Sequence, residues 1–185
     1  MPRFMPPYLT DGAVLLRAWR NEDADALVRR INDPDVARFL DMVPQPYAID
    51  DARAFLGQCA ESWRNGSSAT FAVLASGSDG AVGGLGLRWD ELEAGVAEVG
   101  YWVGVEARGR GVATAAVRLA TRWAFEAASG LERLELRAAV DNPASNRVAE
   151  KAGFTREGVL RAQRFNARLG RRVDFVMWSL LREEL

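Results

Sequence analysis

The strongest constraint on the fold is a long helical segment that directly follows a short run of glycine and arginine. Residues 111–129 (GVATAAVRLATRWAFEAAS) are rich in alanine, and Gly130 follows as a helix end. A strand-like run, Val96 to Val103, precedes this segment. Between the two lies Arg108-Gly109-Arg110-Gly111. Because glycine is a poor helix former, local propensity does not explain these four residues at the start of a helix.

The Arg-Gly-Arg-Gly run has the chemistry of an anion site. A helix start leaves about four backbone N–H groups unpaired and carries roughly half a unit of positive charge. Glycines let an anion approach that backbone, and arginines add charged hydrogen-bond donors. The run therefore predicts a site for a pyrophosphate. A tight turn with solubilising arginines is the alternative interpretation.

Two other phosphate motifs are excluded. The chain has no Gly-Lys-Ser/Thr triplet, which a Walker sequence requires. The segment Gly83 to Leu87 (GGLGL) contains closely spaced glycines, but an acidic turn rather than a helix follows it. These glycines are better explained by a strand bulge or by a close approach of another backbone.

The remaining pattern predicts one mixed α/β domain over residues 8–185, after a loose arm at residues 1–7. Three strand-like runs joined by short turns predict an antiparallel meander. The order strand, helix, strand, helix, strand follows in the second half. The predicted strands are 13–19, 70–76, 81–89, 96–105, 131–140 and 171–181, and the predicted helices are 21–33, 50–65 (closed by Gly66), 111–129 and 142–153.

Composition narrows the chemistry. The chain has no histidine, which removes serine–histidine and cysteine–histidine catalysis and the commonest zinc ligand. Its single cysteine, Cys59, lies in an apolar helical pattern and is predicted to be a buried structural thiol. A net charge of −1 argues against direct nucleic-acid binding. With no signal peptide and no long apolar run, we expect a cytoplasmic protein without a membrane partner.

These motifs together resemble a known family. Residues 108–113 match the [R/Q]-x-x-G-x-[G/A] signature of the GNAT N-acetyltransferases. The segment Asn142 to Phe154 (NPASNRVAEKAGF) is similar to the segment that follows the signature in the same group, and the opening LLRAWRNEDADAL and Pro46-Tyr47 fit as well. The chain resembles the RimJ/RimL-like branch, the ribosomal-protein-alanine acetyltransferase type, over essentially its whole length after Pro7.

The resemblance implies a mixed, mostly antiparallel twisted sheet of about seven strands, splayed between the fourth and fifth and flanked by helices. It implies acetyl-CoA as the donor, a primary amine of a protein N-terminus or a small molecule as the acceptor, no metal, and a possible homodimer. The pantetheine arm would enter the splay. The residues that the resemblance assigns to acetyl-CoA are Val103, Gly104, Val105, Arg108, Gly109, Arg110, Gly111, Val112, Ala113, Thr114, Asn142 and Asn146.

The resemblance also suggests catalytic residues. A backbone amide near Val103 would stabilise the oxyanion. Glu98 is the candidate base, with a solvent-facing or ion-paired strand glutamate as the alternative. Ser145 is the candidate acid for the thiolate, with a hydroxyl that satisfies the first helical turn as the alternative. Many relatives use a tyrosine from a helix as this acid, and the chain has no tyrosine after Tyr101.

Two groups of side chains are candidates for acceptor contacts. Aromatic residues on strands are more often core residues, but four are candidates for an acceptor groove: Trp89, Tyr101, Trp102 and Phe165. A basic cluster near the end is either a solvated loop or a surface for an acidic acceptor or RNA; it consists of Arg161, Arg164, Arg168, Arg171 and Arg172. A non-catalytic acetyl-CoA sensor and a structural protein remain alternative functions.

Overall fold

An eight-stranded sheet forms the centre of the computed structural model, which describes residues 5–40, 43–89 and 94–185. The sheet has the strand order β1-β2-β3-β4-β5-β6-β8-β7. The strands are β1 (Leu9–Thr10), β2 (Val14–Ala18), β3 (Ser68–Ala75), β4 (Gly83–Trp89), β5 (Val96–Val103), β6 (Arg133–Ala139), β7 (Thr155–Asn166) and β8 (Arg171–Leu181). Every neighbouring pair is antiparallel except β5 and β6, which run parallel.

Helices cover both faces of the sheet. They are α1 (Ala24–Ile31), α2 (Pro34–Ala37), α3 (Ile49–Asn65), α4 (Val112–Ala127) and α5 (Pro143–Lys151). Short 3-10 turns occupy Asn21–Asp23, Val105–Ala107 and Arg182–Glu184. Apolar residues of α4 and α5, with Trp63 of α3, form one core cluster with the sheet, and other core residues of α1, α2 and α3 belong to a second. Strand alternation divides β3 between them: Phe71 lies in the first cluster and Ala72 in the second.

Helix ends follow the local signals of the sequence. Gly66 ends α3 in the left-handed conformation with φ of 76°, as predicted. The side chain of Asn142 accepts a hydrogen bond from the Ser145 backbone and caps α5, and Pro143 occupies the first helical position. Cys59 is buried, and burial raises the pKa of its thiol to about 12, which confirms the prediction of a structural cysteine.

The sheet has eight strands rather than the expected seven. The short β1 adds one strand at an edge, so the splay expected between the fourth and fifth strands lies between β5 and β6. The sequence pattern also missed β7, most of whose residues are solvent-exposed, so they carry no apolar alternation. The meander β3-β4-β5 is antiparallel, as predicted. The fold class is confirmed.

Parts of two predictions lie outside the described residues. The loose arm was predicted at residues 1–7, of which 1–4 are not described, and the acidic turn after β4 includes residues 90–93. In the described ranges, the helices are too short or too polar to cross a membrane.

The closely spaced glycines of β4 permit a close approach of β5. A Cβ atom added at Gly83 would lie 2.4 Å from the carbonyl oxygen of Trp102 and 3.2 Å from Cα of Val103. At Gly84 the added atom would lie 2.8 Å from the Trp102 indole nitrogen and 3.0 Å from the Trp19 ring. Both glycines are therefore required by packing, which agrees with the close approach predicted for this segment.

The substitution Gly83→Ala tests this requirement. Because the clash is with backbone atoms that cannot rotate away, we expect a loss of about 2 kcal/mol in the free energy of unfolding. Gly100→Ala, on the adjacent β5, is the matched control, since an added Cβ there meets nothing within 4 Å. Urea unfolding of the three proteins measures both values. Equal stabilities for Gly83→Ala and Gly100→Ala would contradict the packing explanation.

An ion pair joins the last three strands of the sheet. The carboxylate of Glu157 on β7 accepts hydrogen bonds from both terminal nitrogens of Arg133 on β6, at 2.7 and 2.6 Å, and from the hydroxyl of Ser179 on β8 at 2.8 Å. These bonds lower the pKa of Glu157 from 4.5 to about 2, with the Arg133 hydrogen bonds as the main cause.

This shift predicts a pH dependence of stability. Since the folded pKa is depressed, the stabilisation is present above about pH 4.5 and is lost as the pH falls towards 2. Solvent screening limits its size to on the order of 1 kcal/mol. We expect Glu157→Gln to be less stable than the parent at pH 7, with the difference shrinking from about pH 4.5 and nearly gone at pH 2. Thermal unfolding across pH measures this, with the exposed Glu150→Gln as the control. A constant difference down to pH 2 would contradict the assignment.

Candidate active site

A cavity of about 470 Å³ opens where β5 and β6 separate. The two strands pair only from Val96–Glu98 to Arg133–Glu135. Beyond this point β5 stays with β4 and β6 stays with β8. The lining comes from the end of β5, the turn after it, the first turn of α4, the start of α5, and α2 with the residues after it. The predicted residues that line it are Val103, Arg108, Gly109, Gly111, Val112, Ala113, Thr114, Asn142 and Ser145.

The free edge of β5 faces the gap between the strands, which we call the slot. Consecutive residues of a strand point their N–H and C=O groups to alternate edges. The Gly104 N–H donates to the Val82 carbonyl at 2.8 Å, towards β4. The backbone groups of Val103 therefore point the other way, to the edge that β6 has left. An extended ligand in the slot has N–H and C=O groups available for pairing, as an added strand would have.

The first turn of α4 presents uncapped backbone to the cavity. We call Gly109 to Thr114 the anion cradle. Gly109 and Gly111 have φ of 69° and 78°, which favours glycine, and a Cβ atom added at either would meet nothing within 4 Å. Gly111 is the N-cap residue and makes no side-chain capping hydrogen bond. With open space, free N–H groups and the helix dipole together, the cradle fits a pyrophosphate.

The two arginines of the signature have different surroundings. Arg108 lines the cavity, and its Nη1 donates to Oδ2 of Asp35 on α2 at 3.1 Å. Arg110 does not line the cavity, and its Nη1 lies 3.5 Å from the Glu106 carbonyl oxygen. Of the two, only Arg108 has its side chain at the cavity. The Arg108–Asp35 pair is solvent-accessible, so an anion in the cradle can compete for Arg108.

A tyrosine on a strand, rather than on a helix, contacts the predicted acid Ser145. Tyr101 on β5 lies with its hydroxyl oxygen 3.0 Å from Oγ of Ser145 on α5, and both residues line the cavity. Burial raises the pKa of Tyr101 to about 12, so the phenol keeps its proton at neutral pH. The resemblance implied a tyrosine on a helix for this role, and the chain has no tyrosine after Tyr101. The contact joins residues 44 apart, and no linear spacing signals it.

The two predicted asparagines, like the two arginines, differ in whether they line the cavity. Asn142 lines the cavity and also caps α5 through Oδ1, so its predicted contact with acetyl-CoA is compatible with its capping of the helix. Asn146 donates through Nδ2 to the carbonyls of Ala139 and Asn142 and accepts from the indole N–H of Trp178 at 3.0 Å. These bonds use both ends of the Asn146 amide, and the residue does not line the cavity. They favour a structural role, and its contact with acetyl-CoA stays a prediction.

Glu98 is held in an ion-pair network outside the cavity lining. Its Oε2 accepts a hydrogen bond from Nη2 of Arg88 at 2.7 Å and lies 3.7 Å from Nη1 of Arg137. Arg137 also donates to Glu135 at 3.0 Å. The ion-paired alternative considered for Glu98 is therefore the observed state, and its action as a base stays a prediction.

The other predicted residues have varied positions. Gly104 and Val105 do not line the cavity: the Gly104 amide is bound to β4, and Val105 is 57% exposed in the turn after β5. Of the candidate aromatic residues, Tyr101 and Trp102 line the cavity. Trp89 is a core residue, and Phe165 is exposed on β7. In the described part of the chain, no group of three or more acidic or cysteine side chains is arranged to hold a metal ion.

Comparisons with known proteins agree with this geometry. The family model for the acetyltransferase (GNAT) domain matches residues 13–155. The uncharacterized N-acetyltransferase p20 of Bacillus licheniformis is 29% identical over 169 residues, covering 91% of this chain and 93% of that protein. The putative ribosomal N-acetyltransferase YdaF of Bacillus subtilis is 41% identical over 88 residues, covering 48% of this chain and 46% of that protein.

A solved structure gives the same result for the fold. Mycobacterium smegmatis RimJ, solved in complex with CoA-disulfide, superposes with a TM-score of 0.81 at 26% identity, covering 98% of this chain and 88% of that one. The resemblance to the RimJ/RimL-like branch is thus confirmed, because proteins of this branch are among the relatives. The family match, the anion cradle and the separated strands lead to one conclusion: the chain belongs to the GNAT family of acetyltransferases, which use acetyl-CoA as the acetyl donor.

Proposed function

We propose that the protein transfers the acetyl group of acetyl-CoA to the N-terminal amine of a polypeptide, by direct attack of the amine on the thioester. One observation carries the proposal: a single cavity contains an anion cradle, a free strand edge and a part-buried hydroxyl pair, Tyr101 and Ser145. These are the groups needed to bind a diphosphate, align an amide-containing arm and protonate a leaving thiolate. The relative YdaF is named a putative ribosomal N-acetyltransferase, which supports a protein acceptor.

Binding would use mainly the backbone. The N–H groups of the anion cradle would hold the pyrophosphate, with Arg108 adding a charged donor. The slot edge of β5 would pair with the amide groups of the pantetheine arm. Asn142 lines the same cavity and offers its amide nitrogen to the arm, since its oxygen is used in capping α5.

The chemistry requires one bond to form and one to break. The neutral amine attacks the carbonyl carbon, a C–N bond forms, and the carbonyl oxygen becomes an oxyanion that the Val103 N–H would stabilise. The C–S bond then breaks, the thiolate takes a proton from the Tyr101–Ser145 pair, and the proton that the attacking nitrogen loses on becoming an amide returns to this pair through water. The ammonium group must first lose a proton. Glu98 is our candidate acceptor of that proton through a water molecule. This water would replace Arg88 as the hydrogen-bond partner of the Glu98 carboxylate.

An acetyl-transfer assay tests the proposed function. Labelled acetyl-CoA is supplied with a panel of N-terminal peptides and small amines, and free thiol and labelled product are measured together. We expect equal amounts of thiol and acetylated peptide. A non-catalytic sensor would instead be stabilised by acetyl-CoA in a thermal shift without forming product. That outcome would contradict transfer while leaving the binding site intact.

The hydroxyl pair provides a sharper prediction. Tyr101→Phe and Ser145→Ala each remove one hydroxyl and leave the ring or the backbone cap in place. We expect each variant to lose about a hundredfold in kcat with little change in KM for acetyl-CoA, as for a positioned acid. If the two hydroxyls act as a unit, the double variant loses no more than the single ones.

The pH dependence of kcat and the double variant give two further expectations for this pair. With a Tyr101 pKa of about 12, the parent should show no alkaline loss of kcat from this acid below pH 11. Multiplicative losses in the double variant would contradict a shared proton path. Unchanged kcat in both single variants would remove the pair from catalysis.

The anion cradle gives a prediction about binding. Arg108→Ala should raise the Kd for acetyl-CoA about tenfold, the value of one charge-assisted contact. The Kd for acetyl-pantetheine, which lacks the pyrophosphate, should not change. Arg110→Ala is the matched control because the Arg110 side chain lies outside the cavity lining. Calorimetric titration of the parent and both variants with each thioester measures the six dissociation constants. An equal effect of Arg108→Ala on both thioesters would place Arg108 away from the pyrophosphate.

A further inference from the structure

A strongly basic surface lies on the two-stranded extension at the edge of the sheet. We call residues 155–173, which include β7 and the first residues of β8, the basic ribbon. Six arginines of the ribbon are exposed: Arg156, Arg161, Arg164, Arg168, Arg171 and Arg172. The one carboxylate within the ribbon, Glu157, is already bound by Arg133 of β6, which lies on the other side of β8, and the carboxylate next to the ribbon, Asp174, accepts a hydrogen bond from the Ala162 backbone N–H. The chain as a whole has a net charge of −1, so the positive charge is concentrated here.

The fold leaves much of this charge unneutralised. Within the described ranges, Arg156 and Arg161 form no ion pair. Arg172 donates to the Ala162 carbonyl, which carries no net charge. Arg171 lies 3.6 Å from Asp141, a pair that is largely exposed. Closely spaced cations without counter-charges cost folding energy, so their presence is better explained by an anionic ligand than by stability.

The basic ribbon lies beside the cavity. Arg168 donates to the carbonyls of Leu40 at 3.2 Å and Val43 at 2.6 Å. Leu40 itself lines the cavity. Arg171 approaches Asp141, the residue before the cavity residue Asn142. A chain that leaves the cavity past α2 therefore meets the ribbon.

A ligand that binds both the cavity and the basic ribbon must carry an amine and negative charge. The cavity accepts an amine under the proposed function, on which this inference rests. RNA supplies phosphates but no aliphatic amine for acetylation, whereas an acidic polypeptide supplies both groups. Exposed apolar side chains on the ribbon, Phe165 and Leu169, also suit a polypeptide.

We propose that the basic ribbon binds acidic residues that follow the acetylated N-terminus, so that the acceptor is a polypeptide with an acidic N-terminal segment. Arginine guanidinium groups bind carboxylates through paired charged hydrogen bonds. Attraction of this kind acts mainly on the encounter of the two molecules and weakens with salt. The ribbon would therefore affect kcat/KM for the peptide and leave kcat nearly unchanged.

A matched set of peptides tests the proposal. The peptides share the first residue and differ in the next six, which are Asp and Glu in one and Asn and Gln in the other. We expect kcat/KM for the acidic peptide to be at least about fivefold higher at low salt, with the ratio approaching one at 0.5 M salt. The double variant Arg161→Gln/Arg171→Gln should lose this preference but acetylate the neutral peptide as the parent does.

The control removes the same charge elsewhere. Arg53→Gln/Arg64→Gln changes two exposed arginines of α3 and should keep the preference. Equal kcat/KM for both peptides in the parent, or an unchanged preference in the ribbon variant, would overturn the proposal. So would an RNA oligonucleotide that binds the ribbon and blocks transfer equally for both peptides.

A binding measurement keeps the inference separate from the proposed function. Fluorescence anisotropy of the labelled acidic peptide reports its Kd without turnover. If no peptide is acetylated but the acidic peptide binds the parent and not the ribbon variant, the proposed function fails and the ribbon assignment stands. If peptides are acetylated but bind without regard to charge, the ribbon assignment fails alone.

Discussion

The site depends on the point at which β5 and β6 stop pairing. Their last pair places two carboxylates opposite each other, Glu98 and Glu135, an arrangement that is unfavourable by itself. Arg137 lies between them, at 3.7 Å from the first and 3.0 Å from the second. It therefore holds the pair together at the last position before the slot opens. Because each strand keeps its other partner, the separation exposes one backbone edge without disrupting the sheet.

The cavity contains backbone groups and side-chain groups, which depend on the sequence in different ways. The anion cradle uses backbone N–H groups, so it depends on two left-handed glycines and on the helix that follows them. The hydroxyl pair uses side chains from β5 and α5, so it depends on how the slot positions Tyr101 against Ser145. In the proposed mechanism, donor binding would thus depend on the fold, while proton transfer would depend on individual residues. This division explains why the glycine signature is easier to find in a sequence than the acid.

Much of the fold was predictable because strand alternation, helix periodicity and turn glycines are local signals. The cradle was predictable for the same reason. Strand β7 was missed because exposed arginines conceal its alternation. The Tyr101–Ser145 contact was missed because it is set by the crossing of a strand and a helix. The ion-paired state of Glu98 depends on Arg88 across the β4–β5 register, which no spacing along the chain reveals.

The buried state of Cys59 has a practical consequence for work on this protein. It is the single cysteine of the chain, and its raised pKa keeps it in the unreactive protonated form. The folded protein therefore offers maleimides and disulfide reagents no accessible target, although CoA, the product of the reaction, is itself a thiol. Such a reagent would label CoA in the presence of folded enzyme and would label Cys59 only after unfolding. Labelled CoA therefore reports the catalytic product, and labelled protein reports denatured enzyme.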